Sequence, residues 1–304
     1  MLDLIVRGGE VVTPQGVAQC DIAIKGETIA TVAAPGTLGV DPHVHMRHPF
    51  MIPDGTILHT QGPDVVGKAA LYGGTTTLID FAYVTADRSV EKSIAARDED
   101  FAPKSCCDWA YHLMIATDPP PAQFGELGEA IEAGYPTVKI FTTNIWPHRT
   151  GRMIDFGDIW ETFKVLAAKG GLGVIHAEDN DIVMHMYAKL IREGRVGFEN
   201  MAEVHNTLSE DLSFRRVLRL AESVPGTALY MMHVSAATGV AAIAEARAKG
   251  LPIYGESLHQ YMLHTADDYK LPNGQIYHTY PSLKSESDRR ALWEGTLTGA
   301  INCV

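Results

Sequence analysis

From residue 40 to the end of the chain, short apolar runs of strand length alternate with amphipathic stretches of helix length. Successive strands joined through a helix pair in parallel with the helix packed on the sheet, which confines such a chain to α/β architectures. Strands are expected at 40–46, 75–81, 108–116, 137–143, 172–178, 228–235 and 252–257, with an eighth opening at 300–304. Helices are expected near 64–72, 89–101, 124–133, 156–169, 181–193, 212–222, 239–249 and 287–297. In order and length this matches a (β/α)8 TIM-like barrel of about 265 residues, cut at strand 8.

Residues 1–39 follow a different pattern, with short alternating runs punctuated by Gly8-Gly9 and Lys25-Gly26-Glu27 and ending at Pro35-Gly36. They read as a partial N-terminal β-sandwich domain, and residues 40–304 as the barrel domain. A net charge of -12 argues against a nucleic-acid or anionic-membrane partner. No apolar run approaches the roughly 20 residues that span a bilayer. Cys20, Cys106, Cys107 and Cys303 form no Cys-x-x-Cys pair, so a reduced, cytoplasmic protein is expected.

Active sites of such barrels lie at the C-terminal ends of the strands, which is where chemistry-bearing residues are sought. His43 and His45 fall at the end of the first strand, spaced to face the same side. A lone His-x-His is common by chance. Here His176 ends the fifth strand and His233 the sixth, while the fourth carries Lys139 among apolar neighbours. Converging imidazoles are the borderline-soft nitrogen donors that zinc accepts. A cationic amine beside metal ions would be repelled and desolvated, which favours its neutral form. A neutral amine can take up carbon dioxide as a carbamate, whose two oxygens suffice to bridge two metals. The plainer alternative is a lysine snorkelling at the rim with no metal contact.

The stretches Asp41-Pro42-His43-Val44-His45, Gly73-Gly74-Thr75-Thr76-Thr77-Leu78-Ile79-Asp80-Phe81, Val138-Lys139-Ile140-Phe141, Ile175-His176-Ala177-Glu178 and Met232-His233-Val234-Ser235 resemble the cyclic amidohydrolase branch of the amidohydrolase superfamily. That branch includes hydantoinases, dihydropyrimidinases, allantoinases and dihydroorotases. The resemblance implies a binuclear centre of divalent metal ions, usually zinc, with His43 and His45 on one ion, His176 and His233 on the other, and carboxylated Lys139 bridging. It further implies a hydrolase that cleaves the C–N amide bond of a small cyclic amide or ureide through a metal-bridging hydroxide. A homo-oligomer, tetramer or dimer, is implied as well.

Several positions depart from the family pattern. The proton-transferring aspartate that follows strand eight is expected just beyond Val304, and part of the small β domain between Gly39 and Val40 is expected to be missing. Asn144 stands where hydantoinases carry a tyrosine over the oxyanion, and Tyr280 where they carry a serine. Both are candidate substrate-binding residues. Arg47 makes a His-x-His-x-Arg pattern similar to dihydroorotases, where the arginine binds a substrate carboxylate, although an arginine there can equally be a structural ion-pair partner. An allantoinase- or dihydroorotase-like enzyme using Arg47 is therefore the alternative, and a non-catalytic oligomeric homologue the third reading. Trp146, His148 and Arg149 fall in the loop after strand four, a reasonable place for specificity.

Overall fold

The computed structural model describes residues 4–13, 16–34, 39–51 and 55–304. The chain divides into two compact units, Met1–Ala82 with Glu91–His112, and Tyr83–Val90 with Leu113–Val304.

In the first unit β1 (Leu4–Thr13), β2 (Gly16–Lys25) and β3 (Thr28–Ala33) form an antiparallel sheet in that order. The expected turn at Gly8-Gly9 is instead a bulge within one continuous strand. Val6 faces Ile22 and Gly9 faces Cys20, so β1 carries one extra residue there. Gly8 adopts φ 62°, a conformation open to glycine, and its N–H donates to the buried Asp21 carboxylate at 2.8 Å. The end expected at Pro35-Gly36 lies outside the described residues.

The first parallel strand, β4 (Gly39–Asp41), is much shorter than the expected 40–46. Pro42 has no N–H to continue the ladder, and the Asp41 carboxylate accepts the His43 N–H at 3.0 Å. A hairpin with no sequence expectation follows, β5 (Pro49–Met51) against β6 (Ile57–His59). Next comes α1 (Pro63–Tyr72), whose first turn tolerates Pro63 because that N–H has no intrahelical partner. β7 (Thr75–Val84) pairs in parallel with β4, Gly39 opposite Thr75 and Asp41 opposite Leu78. The helix α2 (Val90–Phe101) and strand β8 (Asp108–Ile115) follow, and the division between units falls within β7 and β8.

In the second unit the helix α3 (Pro121–Glu132) leads to β9 (Thr137–Phe141), and α4 (Phe156–Lys169) leads to β10 (Leu172–His176). After α5 (Asn180–Arg192), α6 (Met201–Val204) and α7 (Thr207–Glu222) come β11 (Ala228–Met231), α8 (Ala237–Ala248) and β12 (Ile253–Gly255). The helices α9 (His259–Leu263) and α10 (Glu286–Thr298) complete it. Every strand neighbour here is parallel: Leu113 and Met114 with β9, then β9 with β10, β10 with β11, and β11 with β12. The strands read as unbroken apolar runs because both faces are covered. Val138, Ile140, Val174, Ile175, Leu229 and Met231 are all fully buried.

Capping explains several boundaries. Asn206 accepts the Ser209 N–H at 2.9 Å and starts α7 five residues before the apolar pattern suggests. Ser285 and Asp288 form a reciprocal capping box on α10, and Gly299 in the left-handed region ends it. The eighth strand opens where expected: Cys303 bridges Glu256 in parallel, and the Asn302 N–H reaches the Gly255 carbonyl at 2.7 Å. The order is that of an α/β barrel, with an antiparallel sheet at its N-terminal end. No helix among the described residues is long and apolar enough to cross a membrane.

Gly255 shows how tightly this junction is packed. A Cβ there would stand 2.7 Å from the Ala300 carbonyl oxygen and 2.9 Å from Ile243 Cδ1. Gly255→Ala is expected to destabilise the protein by about 1–3 kcal/mol, read as a lower urea midpoint with an unchanged slope.

Candidate active site

Most parallel strands stop short of their sequence-based ends, so the singled-out histidines sit at strand tips or past them, while Lys139 lies inside β9. β10 ends at His176 rather than 178, and β11 at Met231 rather than 235. The backbone beyond is held by side chains and cross-loop bonds instead of a regular ladder. The Glu178 N–H donates to Thr142 Oγ1 at 3.0 Å, and the Ser235 N–H to Glu210 Oε1 at 3.2 Å.

The first unit brings His43 and His45 together, their rings 5.4 Å apart and edge to face. Phe81 positions both: His45 stacks on it at 4.4 Å and His43 meets it at 5.5 Å. The segment is clamped from behind. The Val44 N–H donates to the Ile79 carbonyl, and the Met46 N–H to Asp80 Oδ2 at 2.8 Å. Arg97 donates to the same Asp80 oxygen at 3.0 Å and also to the Met46 carbonyl. Arg47 lies at φ 48° with its Nε 3.3 Å from Asp100 Oδ1, the ion-pair arrangement anticipated as one of its two roles.

The second unit brings together Lys139, His176 and His233. Strand alternation sends Lys139 and Phe141 to the side opposite Val138 and Ile140. Lys139 is 1% exposed, its Nζ 2.8 Å from Met232 Sδ and 4.7 Å from the Phe141 ring centre. Burial pushes its amine down to about 7; Arg149 acts in the same direction and Glu256 opposes. His176 stacks on the same Phe141 ring at 4.9 Å and meets the His233 ring edge to face at 4.5 Å. His233 is reached through a positive φ of 41°, and its N–H donates to Glu256 Oε2 at 3.3 Å.

Sequence reasoning missed the carboxylate and histidine behind His176. His176 Nε2 lies 2.9 Å from Glu178 Oε2, and Glu178 Oε1 lies 2.8 Å from His205 Nδ1. His205 Nε2 in turn lies 3.1 Å from the Tyr187 hydroxyl. Burial pushes His176 down to about 4, so its imidazole is neutral at pH 7. The hydrogen-bond network then assigns the proton to Nε2, facing Glu178, and leaves the lone pair on Nδ1. Burial alone would raise the Glu178 carboxyl, but His205 and the bonds from both histidines hold it below the usual carboxylate range. Glu178 stood in a quoted motif; His205 had no signal because nothing local links it to residue 178.

Asn144 and Tyr280, the two expected substrate-binding residues, are engaged within the protein itself. Asn144 Oδ1 accepts the N–H groups of Arg152 at 3.1 Å and Met153 at 3.0 Å, stapling its own loop. Tyr280 packs against the rings of His205 at 4.9 Å and His278 at 4.4 Å. Among the described residues, no group of three His, Cys, Asp or Glu converges as a metal cage by itself. The donor set nevertheless suits a metal, since His176 is held neutral with an assigned lone pair beside a buried amine pushed to about 7.

No family model matches the chain. It is 28% identical to a D-hydantoinase of Streptomyces coelicolor over 323 residues, covering 99% of this chain and 67% of that protein. It is 27% identical to an allantoinase of Escherichia coli over 325 residues, covering 99% of this chain and 68% of that one. Among solved structures it superposes on a dihydropyrimidinase from Brevibacillus agri with a TM-score of 0.81 at 27% identity, covering 98% of this chain and 66% of the other. The chain thus spans about two thirds of the length of these relatives.

Replacing Glu178 by leucine would leave two buried imidazole N–H groups without an acceptor. Glu178→Leu is expected to cost about 3–5 kcal/mol, measured by urea unfolding, whereas Glu178→Gln, which keeps one oxygen, is expected to cost less.

Proposed function

We propose that this chain, related over its whole length to D-hydantoinases and allantoinases, hydrolyses a non-peptide C–N amide bond in a cyclic amide or ureide with the help of two divalent metal ions. Lys139 carries the reading. A lysine that is 1% exposed, has its amine near 7 and lies beside a neutral histidine is poorly suited to a structural role as a cation. As a neutral amine it can add to carbon dioxide, forming an N–C bond and releasing a proton, and the resulting carbamate is the anion that two cations would need.

In this reading His43 and His45 would hold one ion, His176 and His233 the other, and Lys139 as carbamate would supply the anion they share. Zinc suits the imidazole and carboxylate donors. Bound there, the ions would polarise the amide carbonyl and make water more acidic. The residues of the chain then have separate tasks. Glu178 keeps the His176 proton on Nε2, and Phe141 excludes water from the face shared by His176 and Lys139. The resemblance assigns proton transfer to an aspartate following strand eight. A cytoplasmic homo-oligomer, tetramer or dimer, belongs to the same reading.

The dihydroorotase-like alternative receives less support, because Arg47 is already paired with Asp100 and a substrate carboxylate would have to displace it. A non-catalytic homologue has no evident need to retain five metal-ligating positions. Asn144 offers no phenol for an oxyanion, and its oxygen is committed to Arg152 and Met153. Simple hydantoin and dihydrouracil should therefore turn over well below about 10 per second.

The test is elemental analysis of protein grown with zinc, joined to a hydrolysis panel of substituted hydantoins, dihydrouracil, dihydroorotate and allantoin. The expected outcome is about two zinc ions per chain, as in two-metal hydrolases, with ring opening of at least one panel member. Lys139→Ala should lose bound metal and activity together, and the carbamate carbon should appear in the 13C spectrum of wild type supplied with labelled bicarbonate. Two tightly held ions in the alanine variant would count against the carbamate.

A further inference from the structure

The loop that follows β9 carries two arginines, Arg149 and Arg152, for which the proposed chemistry has no use. Both are partly buried, and no Asp or Glu among the described residues forms an ion pair with either. Arg149 lies 6.0 Å from the centre of the Phe141 ring, the ring that also receives Lys139 Nζ at 4.7 Å and His176 at 4.9 Å. A single aromatic side chain thus ties the Arg149 guanidinium to the candidate site. Arg152 lies 4.7 Å over the ring of Tyr83, and its Nη1 reaches Met114 Sδ at 3.6 Å.

The loop is held rather than loose. Asn144 Oδ1 accepts from the backbone of Arg152 and Met153, and the Ile154 N–H returns to the Phe141 carbonyl at 2.9 Å. Thr117 binds the same segment, its N–H to the Gly151 carbonyl and its hydroxyl to that of Met153. Burial and mutual repulsion push Arg149 down to about 10, with only the Tyr83 and Tyr280 hydroxyls acting the other way. Two like charges kept close, partly desolvated and without a carboxylate form an arrangement that an incoming anion relieves. Guanidinium groups suit a planar carboxylate, which they bind through paired N–H donors.

We propose that Arg149, supported by Arg152, binds a negatively charged substituent, a carboxylate, on the cyclic amide substrate. This rests on the amidohydrolase reading and narrows it: the ring is opened at the metal-ligand end while the acidic side group is held by the loop after β9. The site differs from the one that the His-x-His-x-Arg pattern suggested, since Arg47 is paired with Asp100.

The test compares hydantoin bearing a 5-carboxymethyl group with its uncharged methyl ester and carboxamide, using zinc-loaded protein. Binding is followed by calorimetry and turnover by ring opening. Wild type is expected to prefer the acid by about tenfold or more, the size of one charge-assisted hydrogen bond, and the preference should weaken as salt is raised. Arg149→Gln should bring the acid-to-ester ratio of kcat/KM towards one, mainly through KM, and Arg149→Lys should keep part of it. Arg152→Gln, with retention of Tm checked for each variant, should reduce the ratio less. Equal handling of acid and ester by wild type overturns the proposal. So does an Arg149→Gln variant that slows both alike, which would make Arg149 part of the general machinery. If no compound is hydrolysed, the amidohydrolase reading fails; the calorimetric preference for the acid and its loss in Arg149→Gln still decide the anion site.

Discussion

The burial of Lys139 is the constraint on which the second unit depends. An amine enclosed by parallel strands cannot reach water, and its fall from 10.5 to about 7 corresponds to a penalty of roughly 5 kcal/mol on the charged form relative to water. That penalty exceeds what a surface-type lysine needs to bear, since a lysine at a rim can extend its ammonium outwards. Its neighbours reflect the cost. Met232 offers a soft sulfur at 2.8 Å and Phe141 an aromatic face, while Glu256 acts in favour of the charged form without outweighing burial.

Around this amine the structure spends its polar groups on orientation. His176, Glu178 and His205, all buried, and the half-buried Tyr187 form a continuous line of hydrogen bonds from 2.8 to 3.1 Å. Each member sets the proton position of the next, which a lone buried histidine could not do for itself. The first unit uses a different device for the same purpose. Asp80 and Arg97 grip the backbone of Met46 from both its N–H and its carbonyl, fixing the segment that carries His43 and His45. Strand pairing alone could not hold it, because the ladder stops at Asp41.

The loop after β9 illustrates why a family position does not carry its family role. The position at which the resemblance implied a substrate contact, Asn144, instead uses its amide oxygen to staple the loop that carries Arg149 and Arg152. The loop so held carries Arg149 beside Phe141 and Arg152 over Tyr83. Specificity elements of this kind sit on loops anchored to a rigid scaffold, where substitution changes recognition without disturbing the strands.

The sequence by itself determined the α/β order, the pairing of His43 with His45, the placement of Lys139 on a strand and that of His176 at a strand end. Those features depend on period and local chemistry, which neighbouring residues carry. Tertiary structure alone decided where β4, β10 and β11 stop, because amides just beyond their ends are taken by Asp80, Thr142, Glu210 and Glu256 from other segments. It turned the expected turn at Gly8-Gly9 into a bulge, through strand pairing with Ile22 and Cys20. It also joined Glu178 to His205 and committed Arg47 to Asp100. The physical reason is common to all of these: a hydrogen bond or ion pair between remote segments has no periodic trace in the sequence, and it exists only once the apolar strands and helices have brought its partners together.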